Sequence, residues 1–219
     1  IRSIHNISKL LKSGADKIAI NSAATRNPNI ITEASKQFGT STIVISIETQ
    51  KIDNDFYVFT ENGRNNSKIK LFYWIDKIQK LGAGEIVLTF INKEGTGSGF
   101  DLEYINKLIK NIDVPLIISG GAGDKNQIKD LLSYKKVSGV GISSIFHYDY
   151  LGKRSKNNID FNIGNTDFLK STNTPFFIKT IDIKSLKKFL KKNNISVNLW
   201  KKLPLLITIL VIYLVLKMP

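Results

Sequence analysis

The chain has 219 residues, of which 42% are hydrophobic and 23% charged, an ordinary globular composition that predicts one domain. It contains no cysteine, which excludes a disulfide framework and thiolate chemistry and fits a reducing, cytoplasmic location. The formal net charge is +14, but the 32 lysines and arginines are spread along the chain, so no nucleic-acid partner is predicted.

Apolar runs alternate with amphipathic segments, a pattern typical of a parallel α/β fold. The spacing of apolar residues predicts strands at 17–21, 43–48, 85–90, 115–119 and 139–146. It predicts helices at 4–13, 28–38, 70–81, 101–112, 125–134 and 182–193. Residues 50–63 alternate in polarity and turn at Asp53 and Asn54, which indicates a β-hairpin.

An internal repeat supports consecutive βα units, because a glycine precedes a short apolar strand in GADKIAIN (14–21), GAGEIVLT (82–89) and SGVGISSI (138–145). Closing an eight-stranded barrel would require three further strands before residue 1. Because Ile1 is not a start methionine, we expect the chain to lack its N-terminal part and to be inactive alone. An open doubly wound sheet is the alternative, but its GxGxxG fingerprint is missing after the first strand.

Two segments depart from the βα rhythm. Residues 149–178 are polar and rich in asparagine, so they are predicted to form an inserted loop within a barrel domain of residues 1–200. The apolar run 203–216 would cover roughly 21 Å as a helix, short of a bilayer core of about 30 Å. We therefore expect residues 201–219 to lie outside the barrel. This tail is either a cut-off membrane segment or, as we favour, a stretch foreign to the original domain, so membrane contact stays open.

Small residues lie at the ends of the last two predicted strands. SGGAG (119–123) begins where one of them ends, and Ser143 and Ser144 lie towards the end of the next, where it leads into a turn. Ligands of parallel barrels bind at the C-terminal ends of strands, where small residues let backbone N–H groups approach an anion. These glycines could merely form tight turns, but the two small-residue segments lie one βα unit apart, which favours a phosphate site.

A series of motifs resembles the cyclase subunit of imidazole glycerol phosphate synthase, in order and with family-like spacing, over residues 2–148 and more weakly over 180–197. These motifs are GADKIAINSAA (14–24), GAGEIVLT (82–89), KEGTGSGFD (93–101), ISGGAG (118–123) and SSIFHY (143–148). The resemblance implies a (β/α)8 TIM barrel of which about the last five βα units are present. It also implies two phosphate sites for a phosphorylated small-molecule substrate.

The resemblance assigns roles to individual residues. It implies that Asn21 and Ser22 belong to the first phosphate site, that Lys17 guards an ammonia entrance, and that Asp16 lies where a glutaminase subunit docks. The residues implied for the second phosphate site are Glu94, Gly95, Gly120, Gly121, Ser143 and Ser144.

The implied activity is that of a lyase in histidine biosynthesis that needs no metal and no organic cofactor. Ammonia from the glutaminase converts a ribulosyl-formimino carboxamide ribonucleotide to imidazole glycerol phosphate and an aminoimidazole carboxamide ribonucleotide. Two carboxylates act as general acid and base. The first would lie on a strand before residue 1, and the second aligns with Glu48, where the family has aspartate. Alternatively, Glu48 is a strand-end carboxylate paired with a lysine. Glu94 also stands where aspartate is usual.

The 149–178 segment resembles a longer form of this barrel found in bacterial surface-polysaccharide clusters. That branch implies a different function, in which the barrel channels ammonia between a glutaminase and an amidotransferase for sugar amidation in O-antigen (lipopolysaccharide) biosynthesis.

His5 and His147 have no further ligands at metal-binding spacing, so no metal site is predicted.

Overall fold

The computed structural model describes residues 1–153, 178–197 and 214–217. Its strands are β1 (Ile18–Ile20), β2 (Ile43–Ile52), β3 (Asp55–Thr60), β4 (Asn65–Lys70), β5 (Glu85–Phe90), β6 (Leu116–Ser119), β7 (Val137–Ile142) and β8 (Leu214–Lys217). Its α-helices are α1 (Ile4–Lys12), α2 (Ser22–Arg26), α3 (Asn29–Phe38), α4 (Leu71–Leu81), α5 (Leu102–Leu108), α6 (Lys125–Leu132), α7 (Ser144–Lys153) and α8 (Ile183–Lys192).

Five parallel strands form the centre of the sheet in the order β1, β2, β5, β6, β7, which is also their order along the chain. Helices lie between successive strands, and sequential parallel neighbours of this kind are the pattern of consecutive units of a (β/α) barrel. The predicted α/β fold with five parallel strands is confirmed, and strand boundaries differ from the predictions by at most four residues.

A three-stranded antiparallel ribbon extends from β2. The first half of β2 pairs with β1, whereas its second half pairs with β3 through a two-residue turn at Asp53 and Asn54. This confirms the predicted hairpin. β4, which continues the ribbon beside β3, was not predicted from the sequence, because its side chains are mostly polar and exposed. The 61–63 turn, which joins β3 to β4, lies beside Glu48. Glu48 was predicted at the end of its strand but lies in the middle of β2, because β2 continues into the hairpin as far as Ile52.

The core lies between the sheet and the helices. Ile45 and Ile47 of β2, together with Ile86 and Leu88 of β5, are fully buried on one face of the sheet. They belong to one apolar cluster with the buried face of α4, which includes Trp74. The helical spacing of apolar residues predicted α4 to within one residue, because its buried side chains recur at intervals of three and four.

Two predictions near the end of β7 are corrected. The predicted strand 139–146 ends at Ile142, and the expected turn is the start of α7, because Ile145 and Phe146 are buried in a helical segment. Residues 149–153, predicted as the start of the inserted loop, form the second half of this helix. The remainder of that loop up to residue 177 lies outside the described residues.

Part of the apolar tail joins the sheet. Residues 214–217 form β8, which pairs antiparallel with β7, whereas residues 201–219 were expected to lie outside the barrel. Without β8, β7 would be an edge strand with unpaired N–H and C=O groups, and β8 pairs with these groups. Residues 201–213 are outside the described part of the chain. Among the described helices, none has the length and apolar character needed to cross a bilayer.

Candidate functional site at the C-terminal edge of the sheet

The strand register brings the predicted site residues to one edge of the sheet. Glu48 of β2 is opposite Thr89 of β5, which in turn is opposite Ser119 of β6. Ser119 is opposite Gly141 of β7. Because these strands are parallel, the loops that follow this row leave from the same edge. They carry all the predicted phosphate-binding residues after β5, β6 and β7: Glu94, Gly95, Gly120, Gly121, Ser143 and Ser144. Asn21 and Ser22 directly follow β1 at the same edge.

Glu48 and Glu94 line a common cavity of about 510 Å³. Its other lining residues are Gln50, Asn62, Gly63, Ile91 and Asn92. The Glu48 carboxylate accepts a hydrogen bond of 2.8 Å from the Gly63 N–H. The partner in this hydrogen bond is a backbone amide, whereas the alternative interpretation of Glu48 predicts a lysine. A half-buried carboxylate that faces a polar cavity can exchange a proton with a bound molecule.

The loops after β5 and β6 contact each other closely. The Gly99 N–H donates to the Gly121 carbonyl at 2.7 Å. Gly121 has a φ of +112°, and a Cβ atom there would lie 2.4 Å from the Gly99 oxygen. Only glycine fits this position. Gly121 also lies beside the loop that carries Glu94 and Gly95, because a Cβ atom on Gly121 would lie 3.5 Å from the Lys93 Cβ.

Ser143 and Ser144 lie at the start of α7. The Ser143 carbonyl accepts hydrogen bonds from the N–H groups of Phe146 and His147 at 3.1 and 3.0 Å. A helix start of this kind favours an anion through its N–H groups and its dipole. Burial lowers the pKa of His147, which favours the neutral form of its side chain.

Gln127 is a residue that the sequence analysis missed. Asp124 and Gln127 form a capping box at the start of α6, and the Gln127 Oε1 also accepts from the Gly123 N–H at 2.7 Å. One side chain therefore connects the helix start to the SGGAG turn. The sequence could have predicted this capping box, because an aspartate followed three residues later by glutamine is typical of a helix start.

We expect Asp124→Ala to lower the free energy of unfolding by about 1 kcal/mol, because it removes the acceptor for the N–H groups of Asn126 and Gln127. Asp124→Asn is the matched control, because its amide oxygen still caps the helix, so its unfolding midpoint in urea should stay near that of the unchanged protein. Equal losses in both variants would contradict the capping role.

The predicted first phosphate site is linked to the 61–63 turn. Within the described structure, the Asn21 Oδ1 is buried without a hydrogen-bond partner. The Ser22 Oγ accepts from the Glu61 N–H at 3.0 Å. A serine hydroxyl that accepts one hydrogen bond can still donate another, so Ser22 retains a donor for an anion. Glu61 was not identified from the sequence, where it belongs only to the end of a hairpin.

An ion pair lies at the opposite edge of the sheet. Lys17, directly before β1, contacts the Oε2 atom of Glu85 at the start of β5, and Asp16 beside it is exposed. Glu85 is only 2% exposed. Lys17 was predicted as a site residue, whereas Glu85 was not. The repeat could have indicated Glu85, because Lys17 and Glu85 are each the fourth residue of the repeated segments GADKIAIN and GAGEIVLT.

Glu85 and Glu48 lie on the same face of the sheet. Side chains alternate between faces, so Glu85 and Thr89 share one face of β5, and Thr89 is opposite Glu48. We call this surface the glutamate face; it also carries Val44, Ser46 and Val87. Along β5, Glu85 in the ion pair and Thr89 beside Glu48 are four residues apart, a distance of about 13 Å in a strand.

Comparison with known proteins identifies relatives of this chain. A family model described as "Histidine biosynthesis protein" matches residues 1–151. Imidazole glycerol phosphate synthase subunit HisF of Sulfolobus acidocaldarius is 42% identical over 148 residues, which cover 67% of this chain and 58% of that protein. The protein of the same name from Streptococcus mutans is 40% identical over 149 residues, 68% of this chain and 59% of the relative.

A longer match is found with imidazole glycerol phosphate synthase subunit HisF of Hydrogenobaculum sp. It is 34% identical over 200 residues, which cover 91% of this chain and 68% of that protein. The chain thus spans from 58% to about two thirds of the length of the curated relatives it matches.

Proposed function

Because the chain belongs to the histidine biosynthesis protein family, we propose that it carries cyclase chemistry of the imidazole glycerol phosphate synthase type. The glutamate face supports this proposal most strongly. At one edge of the sheet this face has the ion pair of Lys17 and Glu85, and at the other edge it has Glu48, which lines a polar cavity. This arrangement separates an entrance for a small nucleophile from a site of proton transfer.

In the proposed reaction, ammonia from a glutaminase subunit enters past Lys17 and Glu85. The exposed Asp16 next to this entrance belongs to the surface where the glutaminase docks. Ammonia then passes along the small and apolar side chains of the glutamate face. Glu48 exchanges a proton with the ribulosyl-formimino carboxamide ribonucleotide as the imidazole ring closes and the second product leaves. The reaction takes place in the cytoplasm.

The two proposed phosphate sites hold the ends of the substrate. Asn21 and Ser22 follow β1, whereas Ser143 and Ser144 follow β7, four strand spacings away. At about 4.8 Å per spacing this is roughly 19 Å along the sheet, and a curved barrel makes the direct distance shorter. Gly95, Gly120 and Gly121 adjoin the second site. An elongated substrate with a phosphate at each end can span this distance across Glu48.

The alternative, an ammonia-channelling barrel for sugar amidation, rested on the 149–178 segment, most of which lies outside the described residues. The relatives described above carry the name of the cyclase subunit. We therefore favour histidine biosynthesis over polysaccharide amidation.

A direct assay tests the proposed function. The protein, as its organism produces it, is supplied with the ribonucleotide substrate and an ammonium salt, which replaces the glutaminase. We expect imidazole glycerol phosphate and the aminoimidazole carboxamide ribonucleotide to form in equal amounts. Inorganic phosphate should inhibit competitively, because it occupies the two anion sites. Absence of both products, with ammonium present in excess, would overturn the proposal.

A further inference from the structure

The 61–63 turn has an unusual backbone. Glu61, Asn62 and Gly63 are three consecutive left-handed residues, with φ values of +55°, +58° and +76°. Glycine adopts this conformation freely and asparagine tolerates it, whereas glutamate does so at a cost. Residues in such conformations persist only where the surrounding structure holds them. Contacts with the surrounding structure must therefore hold Glu61 in this conformation.

Two contacts fasten Glu61 to α2. Its N–H donates to the Ser22 Oγ at 3.0 Å, and its carboxylate forms an ion pair with the Arg26 guanidinium. Both partners lie on the short helix that directly follows β1. The Arg64 N–H, which donates to the Thr60 carbonyl at 3.1 Å, closes the turn.

The other end of the turn contacts the proposed catalytic acid. The Gly63 N–H donates to the Glu48 Oε2 at 2.8 Å. Gly63 also packs against Ile91, whose Cδ1 lies 3.0 Å from the position of a Cβ on Gly63. Asn62 and Gly63 line the same cavity as Glu48. The turn thus connects α2 to the carboxylate through a chain of direct contacts.

We propose that Arg26 and Glu61 are positioning residues that hold the Gly63 N–H against the Glu48 carboxylate. Their effect on turnover rests on the proposed function, whereas their effect on the turn does not. Arg26 and Glu61 act through Gly63 and are not themselves catalytic residues. Because Ser22 belongs to the proposed first phosphate site, the same contacts couple that site to Glu48.

Two variants break the ion pair from opposite sides. Arg26→Ala removes the cation. Glu61→Asn removes the carboxylate but keeps a residue that tolerates the left-handed conformation, so it separates the charge from the backbone geometry. The control is Lys70→Ala, which breaks the ion pair between Lys70 and Asp55 elsewhere on the same ribbon. That pair is similarly exposed, with side-chain exposures of 60% and 51% against 63% and 45% for Arg26 and Glu61.

Amide hydrogen exchange of Gly63, measured by NMR, is the first readout. We expect exchange about threefold faster in Arg26→Ala and in Glu61→Asn, in line with the strength of an exposed ion pair, and unchanged in Lys70→Ala. The exchanged pair Arg26→Glu with Glu61→Arg should recover most of the protection. Unchanged Gly63 exchange in both single variants, or equal acceleration in the control, would overturn the proposal.

Turnover of the protein as its organism produces it is the second readout. Arg26→Ala and Glu61→Asn should lower kcat several-fold with little change in KM, and the charge-exchanged pair should recover part of the loss. Faster Gly63 exchange with unaltered kcat would overturn the positioning role in catalysis. If the protein shows no cyclase turnover at all but Gly63 exchanges faster in Arg26→Ala and Glu61→Asn, the proposed function is refuted. The positioning of the Gly63 N–H by Arg26 and Glu61 is then still supported.

Discussion

Replacing Glu48 with glutamine should lower the kcat of the cyclase reaction by about 10² to 10⁴-fold, the range for loss of a general acid or base. Glutamine has nearly the same shape, and its amide oxygen can still accept the hydrogen bond from the Gly63 N–H. The variant therefore removes proton transfer while the contact with the 61–63 turn remains. The measurement is steady-state turnover with saturating ammonium and ribonucleotide.

Glu94→Gln is the matched control for this prediction. Glu94 lines the same cavity but lies in an exposed loop, so its loss should change KM more than kcat. Glu48→Asp is a third variant, because aspartate is the acid that the family resemblance implies at this position. A Glu48→Gln protein with turnover close to that of the unchanged protein would refute a catalytic role for Glu48.

Gly121→Ala should lower the free energy of unfolding by about 3 kcal/mol or more, through backbone strain and overpacking together. Its φ of +112° is outside the range that alanine adopts, and the new methyl group would lie 2.4 Å from the Gly99 oxygen. The loops after β5 and β6 would have to separate. We also expect weaker phosphate inhibition, because the second anion site depends on this contact.

Gly95→Ala separates the two causes. Gly95 has a φ of +72°, but no atom lies within 4 Å of its Cβ position. Only the left-handed conformation is penalised there, at about 1 kcal/mol. Urea denaturation of both variants measures the difference. Similar losses at the two positions would indicate that the contact between Gly121 and Gly99 contributes little.

The sequence by itself determined the order of the elements and the edge of the sheet at which the site lies. The apolar runs predicted five parallel strands, and the loops that follow parallel strands leave from one edge of the sheet, so Ser22, Glu94 and Ser143 could be placed at the same edge. Their roles were implied only by the family resemblance. Periodicity failed for α2, which is five residues long, and for β4, whose exposed polar residues lack an apolar pattern. The prediction of a strand at 139–146 was right for 139–142 and wrong for its last four residues, because apolar runs do not distinguish a strand end from a buried helix start.

Only the tertiary structure decided which distant side chains meet. Lys17 and Glu85 are 68 positions apart, and Arg26 and Glu61 are 35 apart. Apolar periodicity specifies which face of a strand or helix is buried. Contacts between distant polar side chains depend instead on the register of neighbouring strands and on the path of the loops. For the same reason, the hydrogen bond between the Gly63 N–H and Glu48 depends on the path of the turn between β3 and β4, which apolar periodicity does not specify.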